Sequence, residues 1–205
     1  MPFGPTDRWA ERHIPGGGGT HRMQIETERL ILREFVSDDW LVMARYWRDP
    51  RYQHFYPEND DPAPIVRELV ERFVAAQATS PRLKRQLVIV ERASGAMIGN
   101  CGIRINDPEI GEANIGYELD PDFWGHGYAT EAARAIIRFG FEDLALHRIW
   151  AECIADNRGS WRVMERLGMR REAHVREHQH FRDRWWDTFT YAILDHEWQA
   201  RGGSN

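Results

Sequence analysis

Cysteine and long apolar runs are scarce in this sequence. Only Cys101 and Cys153 occur among 205 residues, which argues against a disulfide framework and against the C-x-x-C spacing of a zinc site. No apolar run reaches the roughly 18 residues of a transmembrane helix, and the N-terminus has no apolar core of a signal peptide. We therefore expect a cytoplasmic protein with buried free thiols and no membrane partner.

The sequence also has no excess of basic residues. The chain has 27 Lys+Arg and 32 Asp+Glu, a formal net charge of −5. This balance argues against a general nucleic-acid-binding role, because contacts to phosphates need a basic surface. Hydrophobic residues make up 42% and charged residues 29%, which is typical of a soluble globular domain. We expect no nucleic-acid partner.

The chain divides into a tail and one domain. Three prolines and the glycines at 16–19 predict a flexible tail over residues 1–22. A single domain follows over residues 23–199, and a C-terminal tail over 200–205. Hydrophobic periodicity predicts strands at 26–34, 86–91, 96–105, 111–119, 148–154, 174–181 and 185–194. It predicts helices at 38–49, 65–78, 129–144 and 160–167, with a loop over 50–64.

These elements predict an α/β (α+β) domain. Its central sheet is mixed and mostly antiparallel, with about six to seven strands flanked by about four helices. The sequence contains no internal repeat. It also lacks the early G-x-G-x-x-G motif and the repeated βαβ units of a dinucleotide-binding fold.

The strongest chemical signal is a glycine-containing segment between a strand and a long helix. W-G-H-G-Y-A-T occupies residues 124–130, after the strand that ends at Leu119. Glycines allow backbone N–H groups to converge on an anion, and a helix N-terminus adds electrostatic attraction. The segment predicts a cradle for the pyrophosphate of a nucleotide, and the alternative is a purely structural turn.

With its neighbours, this segment resembles the GNAT acetyltransferase superfamily, and more closely its branch of ribosomal-protein N-terminal acetyltransferases. The resemblance runs from about residue 27 to 198. The motifs, in order, are E-T-E-R-L-I-L-R at 26–33, I-G-Y-E-L-D-P at 115–121, F-W-G-H-G-Y-A-T-E-A at 123–132, N-R-G-S at 157–160, L-G-M at 167–169 and W-D-T-F-T-Y-A-I-L at 186–194. The family loop reads Gln/Arg-x-x-Gly-x-Gly/Ala, and Trp124 stands at its first position here.

The resemblance implies acetyl-CoA as cofactor. It implies that the strand ending at Leu119 splays away from the strand at 148–154, with the pantetheine arm between them. The pyrophosphate would rest on the amides of residues 126–130. The implied cofactor-binding residues are Leu119, Trp124, Gly125, His126, Gly127, Tyr128, Ala129, Thr130, Asn157 and Ser160.

The resemblance also implies direct attack of an amine on the thioester. Glu118 and Glu152 are the candidate bases. The alternative for each is a solvated carboxylate on a strand, without a catalytic role. Met164 stands where the family often has a tyrosine acid. Ser160 is therefore the candidate acid or hydrogen-bond donor.

Aromatic residues predict the substrate side. Trp47, Tyr52, Phe55, Tyr56 and Trp185 are the candidates, although most of them are expected in the core or at its rim. His174, His178 and His180 have even spacings, which predicts that they share one face of a strand. No metal site is expected, because four residues of extended chain separate the first two by about 13 Å.

The acceptor stays open at this stage. We expect acetylation of an amine, foremost the α-amine of a protein N-terminus. A small-molecule acetyltransferase, acting on an antibiotic or an aminoacyl nucleotide, is the second interpretation. A non-catalytic acetyl-CoA-binding module is the third. The oligomeric state, a homodimer included, is not determined by the sequence.

Overall fold

The structure, a computed structural model, describes residues 23–202, so the predicted N-terminal tail and residues 203–205 lie outside the described residues. The described strands are β1 Gln24–Glu26, β2 Leu30–Glu34, β3 Lys84–Glu91, β4 Met97–Asp107, β5 Glu112–Leu119, β6 Arg148–Ile154, β7 Arg170–Phe181 and β8 Arg184–Leu194. The described helices are α1 Trp40–Trp47, α2 Pro50–Gln53, α3 Ala63–Ala76, α4 Tyr128–Glu142, α5 Arg158–Arg166 and α6 Asp195–Ala200.

All eight strands join one sheet in the order β1-β2-β3-β4-β5-β6-β8-β7. Every neighbouring pair is antiparallel except β5 and β6, which run parallel. The predicted fold class is confirmed. The described part has one more strand than the largest predicted count, because the three-residue β1 is too short to show a periodic pattern.

Helices cover both faces of the sheet. On one face, α4 buries Ala132, Ala133 and Ile136 in the main core. A Cβ on Gly140 would lie 2.6 Å from Ile149 Cδ1, so this glycine allows the helix to approach the sheet closely. On the other face, α1 and α3 pack over β3 in a second core that includes Met43. None of the described helices is both long and apolar enough to cross a bilayer.

Two predicted boundaries were wrong around α1 and α2. The helix predicted from residue 38 begins later, because Ser37–Asp39 forms a 3-10 turn and α1 begins at Trp40. Asp39 is held there by Arg33 and by the Val36 amide. The predicted loop over 50–64 contains α2, which Asp49 caps by accepting from Arg51 N at 2.8 Å. Pro50 begins this helix, as proline does at a first helical turn.

The prediction that three histidines share one face of β7 was also wrong. The register with β8 shifts between Val175 and Gln179, and Glu177 has a left-handed φ of 50°. His174 therefore contacts Asp187 at 2.6 Å, whereas His178 contacts Thr188 at 2.8 Å. Since Asp187 and Thr188 are consecutive strand residues, the two histidines lie on opposite faces.

Candidate active site

A wedge opens in the sheet where β5 and β6 separate. Their parallel pairing covers only 112–114 of β5 against 148–150 of β6. The rest of both strands, 115–119 and 151–154, has no partner across the gap. Backbone groups lining this gap are free to bind an extended molecule, as the family resemblance implied for the pantetheine arm.

The loop at 124–130 lies at the open end of this wedge. Gly125 and Gly127 both have φ of 83°, a left-handed conformation that favours glycine. Gly127 is the N-cap of α4 and has no side chain to cap the helix. The first N–H groups of α4 therefore lack intrahelical partners and carry the positive end of the helix dipole.

One buried atom in this first turn also lacks a partner. Thr130 Oγ1 is buried and makes no hydrogen bond to the described residues. Such an orphaned hydroxyl in the first turn of a helix suits a phosphate oxygen. The free amides, the left-handed glycines and the hydroxyl together fit the diphosphate of CoA.

Trp124 has a structural role that the sequence did not predict. Its indole Nε1 donates to the Leu119 carbonyl at 3.0 Å, which ties the loop to the end of β5. The ring is 45% exposed, so its outer part can contact a ligand. The bond to the Leu119 carbonyl explains why a tryptophan stands at position 124, and this role requires no direct bond from Trp124 to phosphate.

Arg29 is a residue of this site that sequence reasoning missed. Its guanidinium contacts Glu131 at 2.7 Å and donates to the His126 carbonyl at 3.0 Å. It also lies 4.7 Å from the centre of the Tyr128 ring. Arg29 fixes the glycine loop against α4, and the available signal was its place in the E-T-E-R-L motif.

Glu118, the first candidate base, lies on the sheet face beneath α1. Its Oε1 accepts from Tyr46 Oη at 2.8 Å, Trp47 Nε1 at 3.1 Å and Asn100 Nδ2 at 2.6 Å. Its Oε2 accepts from Tyr52 Oη. All four partners are donors, which matches an ionised carboxylate because that group can only accept. Oε2 keeps acceptor capacity toward the cleft.

The tyrosines around Glu118 stay protonated. Burial, followed by the nearby Glu118 charge, raises the pKa of Tyr46 and of Tyr52 well above the ordinary value. Both hydroxyls therefore remain donors to Glu118 at any working pH. The Glu118 carboxylate is thus held in one orientation by hydroxyls that stay protonated.

Glu152, the second candidate base, lies across the wedge on the same sheet face. It is opposite Thr190 of β8 and is exposed. It makes no hydrogen bond with the described residues, in contrast with the four bonds of Glu118. The structure thus places both carboxylates beside the wedge and orients only Glu118.

The other side of the wedge carries a hydroxyl pair that the sequence did not predict. Tyr117 Oη donates to the Ser160 carbonyl at 2.8 Å and lies 3.2 Å from Ser160 Oγ. Burial raises the pKa of Tyr117 above its ordinary value. Met164, at the family's tyrosine position, is buried in the core. A tyrosine is present beside Ser160, but it comes from β5.

Asn157 and Cys153 complete this side. Asn157 caps α5, with its Oδ1 accepting from Ser160 N at 3.1 Å. Burial raises the pKa of Cys153 to about 11, and a hydrogen bond from Ser160 opposes this shift. The cap fixes Ser160 at the edge of the wedge, next to a thiol that stays neutral.

Three of the five predicted substrate residues lie together. Trp47 and Tyr52 stack with centroids 5.6 Å apart, and Tyr52 and Tyr56 stack at 5.0 Å. This aromatic wall stands directly beside Glu118. Phe55 instead packs against Trp186 in a small separate cluster. Trp185 is exposed and contacts His180, away from the wall.

A clasp closes one side of the acceptor face. Arg182, in the tight β7–β8 turn, donates to the Tyr56 carbonyl at 3.1 Å and to the Gln53 carbonyl at 3.1 Å. It also pairs with Glu58 at 3.0 Å. We call these contacts the Arg182 clasp. They join the end of α2 and the loop after it to the β7–β8 hairpin.

Comparisons with known proteins agree with this geometry. The family model described as acetyltransferase (GNAT) domain matches residues 29–170. YnaD of Bacillus subtilis (strain 168), an uncharacterized N-acetyltransferase, is 34% identical over 178 residues, covering 86% of this chain and 99% of its own.

Solved structures share the fold. An acetyltransferase (GNAT family) from Bacillus anthracis has a TM-score of 0.73 at 30% identity, covering 85% of this chain and 99% of its own. The ribosomal-protein-S5-alanine acetyltransferase from Vibrio fischeri also has a TM-score of 0.73, at 22% identity, with 86% and 98% covered.

Proposed function

Because the chain belongs to the GNAT acetyltransferase family, we propose that it acetylates the α-amine of a protein N-terminus. As a member of this family, the protein is an acetyl-CoA-dependent N-acetyltransferase. Acetyl-CoA supplies an acetyl thioester, which is an activated acyl group. The proposal concerns the acceptor and the residues that handle it.

The observation that carries the proposal is the environment of Glu118. A carboxylate fixed by four donors, beside an aromatic wall and the mouth of the wedge, suits removal of a proton from an incoming ammonium group. Oε2, which accepts only from Tyr52, takes that proton. An amine has to be neutral to react as a nucleophile, so this is the task that the base performs.

The second proton is handled on the opposite side of the wedge. We assign Ser160 Oγ as the hydrogen-bond donor there, with Tyr117 Oη behind it at 3.2 Å. Because burial keeps the Tyr117 hydroxyl protonated, it stays a donor to the Ser160 carbonyl near neutral pH and holds Ser160 Oγ in place. Base and donor thus flank the wedge, one on each sheet face.

The Arg182 clasp favours the end of a chain over an internal lysine of a folded protein. With the loop after α2 joined to the hairpin, the face above Glu118 is narrowed. A flexible N-terminus can enter such a cleft end-on. One protein of the same fold is named for acetylating the alanine of ribosomal protein S5, which accords with this acceptor class.

Thiol release from acetyl-CoA tests the proposal. The acceptors are a short peptide with a free α-amine, the same peptide with its N-terminus blocked and one internal lysine, and an aminoglycoside. We expect turnover with the first peptide alone. Turnover confined to the aminoglycoside would replace the proposed acceptor with a small molecule, and turnover confined to the lysine would contradict the end-on cleft.

A further inference from the structure

A guanidinium lies on the same sheet face as Glu118, in the neighbouring strand β4. Arg104 is in β4, cross-strand from Asn114, and its side chain runs toward Gly116. Its Nη1 is 3.3 Å from where a Cβ of Gly116 would be. Gly116 and Glu118 point to the same face, two residues apart, so the guanidinium lies beside a strand position about 7 Å along β5 from that of the candidate base.

This cation has no anionic partner in the described part of the chain. Its Nη2 donates to Gln86 Oε1 at 3.0 Å, and no described carboxylate lies within the 4.0 Å of a salt bridge. Burial lowers the pKa of Arg104, and the Glu118 charge opposes that shift only in part. A half-buried guanidinium without a counter-charge leaves its desolvation uncompensated.

Arg104 is held at a fixed spacing from Glu118. Gln86 accepts from Arg104 and donates through Nε2 to Asn100 Oδ1 at 2.6 Å. Asn100 donates in turn to Glu118 at 2.6 Å. One continuous chain of hydrogen bonds thus connects the cation with the base, across three strands.

A second atom on this face lacks a partner. Asn114 Oδ1 is buried and accepts no hydrogen bond from the described residues. It adjoins Arg104 across the β4–β5 ladder. An acceptor without a partner therefore stands beside a guanidinium whose Nη1 makes no hydrogen bond to the described residues, as both would for the backbone or amide of a bound chain.

We propose that Arg104 binds a carboxylate of the acceptor, carried by the residue that bears the amine or by the residue after it. This inference rests on the proposed function, because it takes Glu118 as the position of the amine. A spacing of about 7 Å spans one to two residues of an extended chain. A carboxylate fits better than a doubly charged phosphate, since one guanidinium balances a single negative charge and the nearby Glu118 carboxylate repels a second one.

Matched acceptors test Arg104. Peptides beginning Ala-Asp and Ala-Asn differ only in the carboxylate, and alanine and alaninamide form the corresponding small pair. With wild-type enzyme we expect kcat/KM about tenfold higher for the acidic member of a pair, as for a charge-assisted hydrogen bond. Arg104→Met should reduce that ratio to about one, and Arg104→Lys should retain part of it.

Lys84→Met is the matched control. Lys84 is exposed and lies cross-strand from Arg104, so this change removes the same charge from the same end of the sheet and should preserve the ratio. Acidic and neutral acceptors used equally well by wild type would overturn the inference. An equal loss on Lys84→Met would assign the effect to general charge and overturn it too.

A binding measurement separates this inference from the proposed function. Calorimetry with CoA present compares the acetylated forms of the Ala-Asp and Ala-Asn peptides, which needs no turnover. Tighter binding of the acidic product, lost in Arg104→Met, supports the carboxylate site even where acetylation of peptides fails. Equal affinity for both products overturns it. If alanine is acetylated and neither peptide is, the proposed acceptor class fails, and a preference for alanine over alaninamide that Arg104→Met removes still supports the carboxylate site, whereas no preference overturns it.

Discussion

At the scale of single residues, Glu118 is distinguished by partners that are far away in the chain. Its four donors come from α1, α2 and β4, between 18 and 72 residues away. The sequence placed Glu118 on the correct strand, but it gave no reason to prefer Glu118 over Glu152 as the catalytic base. Only the folded arrangement shows that Glu118 is oriented and Glu152 is not.

We predict that Glu118→Gln lowers kcat/KM by about a hundredfold or more, the usual contribution of a positioned base. The amide cannot accept the proton, and its NH₂ would face donors. Steady-state thiol release measures the loss, and thermal unfolding reports any loss of stability. Glu152→Gln is the matched control, since Glu152 has no hydrogen bond to lose. A larger loss on Glu152→Gln would reverse the assignment.

Cys153 provides a pH-dependent prediction. Its pKa is raised to about 11 by burial, so only about one thiol in a thousand is ionised at pH 8. We expect the rate of alkylation by iodoacetamide, followed by mass spectrometry, to rise about tenfold per pH unit from 8 toward 11 while the fold persists. The thiolate is the reactive form, which sets the sign. A rate that levels off below pH 9 would show an ordinary exposed thiol.

At the scale of elements, sequence patterns located strands and helices well but not their irregularities. The glycine loop was predicted because a strand, two glycines and a helix follow one another locally. The bulge in β7 was not, since nothing in R-E-H-Q-H breaks the alternation. Tyr117 was missed as a partner of Ser160 because the two lie 43 residues apart.

The glycine loop yields a prediction for cofactor binding. Gly127→Trp places a side chain on a left-handed residue, 3.5 Å from Arg29 Nη2, and obstructs the free amides of α4. We expect acetyl-CoA affinity to fall at least about tenfold by calorimetry. Gly95→Trp is the control for backbone strain, because Gly95 also has a left-handed φ, 71°, with open space around it. Unchanged affinity in Gly127→Trp would contradict the cradle.

The Arg182 clasp yields a prediction for the acceptor. Arg182→Met removes two hydrogen bonds and one ion pair to the loop after α2. We expect the acceptor KM to rise severalfold while the acetyl-CoA Kd stays the same, with faster amide exchange over residues 53–58. Arg184→Met is the control, since Arg184 pairs with Asp156 instead. An unchanged acceptor KM would show that the Arg182 clasp has no part in acceptor binding.

At the scale of the whole molecule, the order of the motifs was enough to predict the family and the fold class. The separation of β5 from β6 was implied by that family likeness rather than by local propensity, which cannot report pairing between distant strands. The sequence could not predict which side chains come together on the acceptor face. That face is formed by α1, α2, three central strands and the hairpin turn, brought together only by folding.

The position of the acetyl group on the product shows whether the enzyme acts on an α-amine. A peptide with both a free α-amine and an internal lysine is incubated with acetyl-CoA and the enzyme, and tandem mass spectrometry identifies the modified nitrogen. We expect the wild-type enzyme to add a single acetyl group, on the α-amine, and the Glu118→Gln variant to form almost no acetylated peptide. Acetylation of the lysine, or equal product from the Glu118→Gln variant, would contradict it.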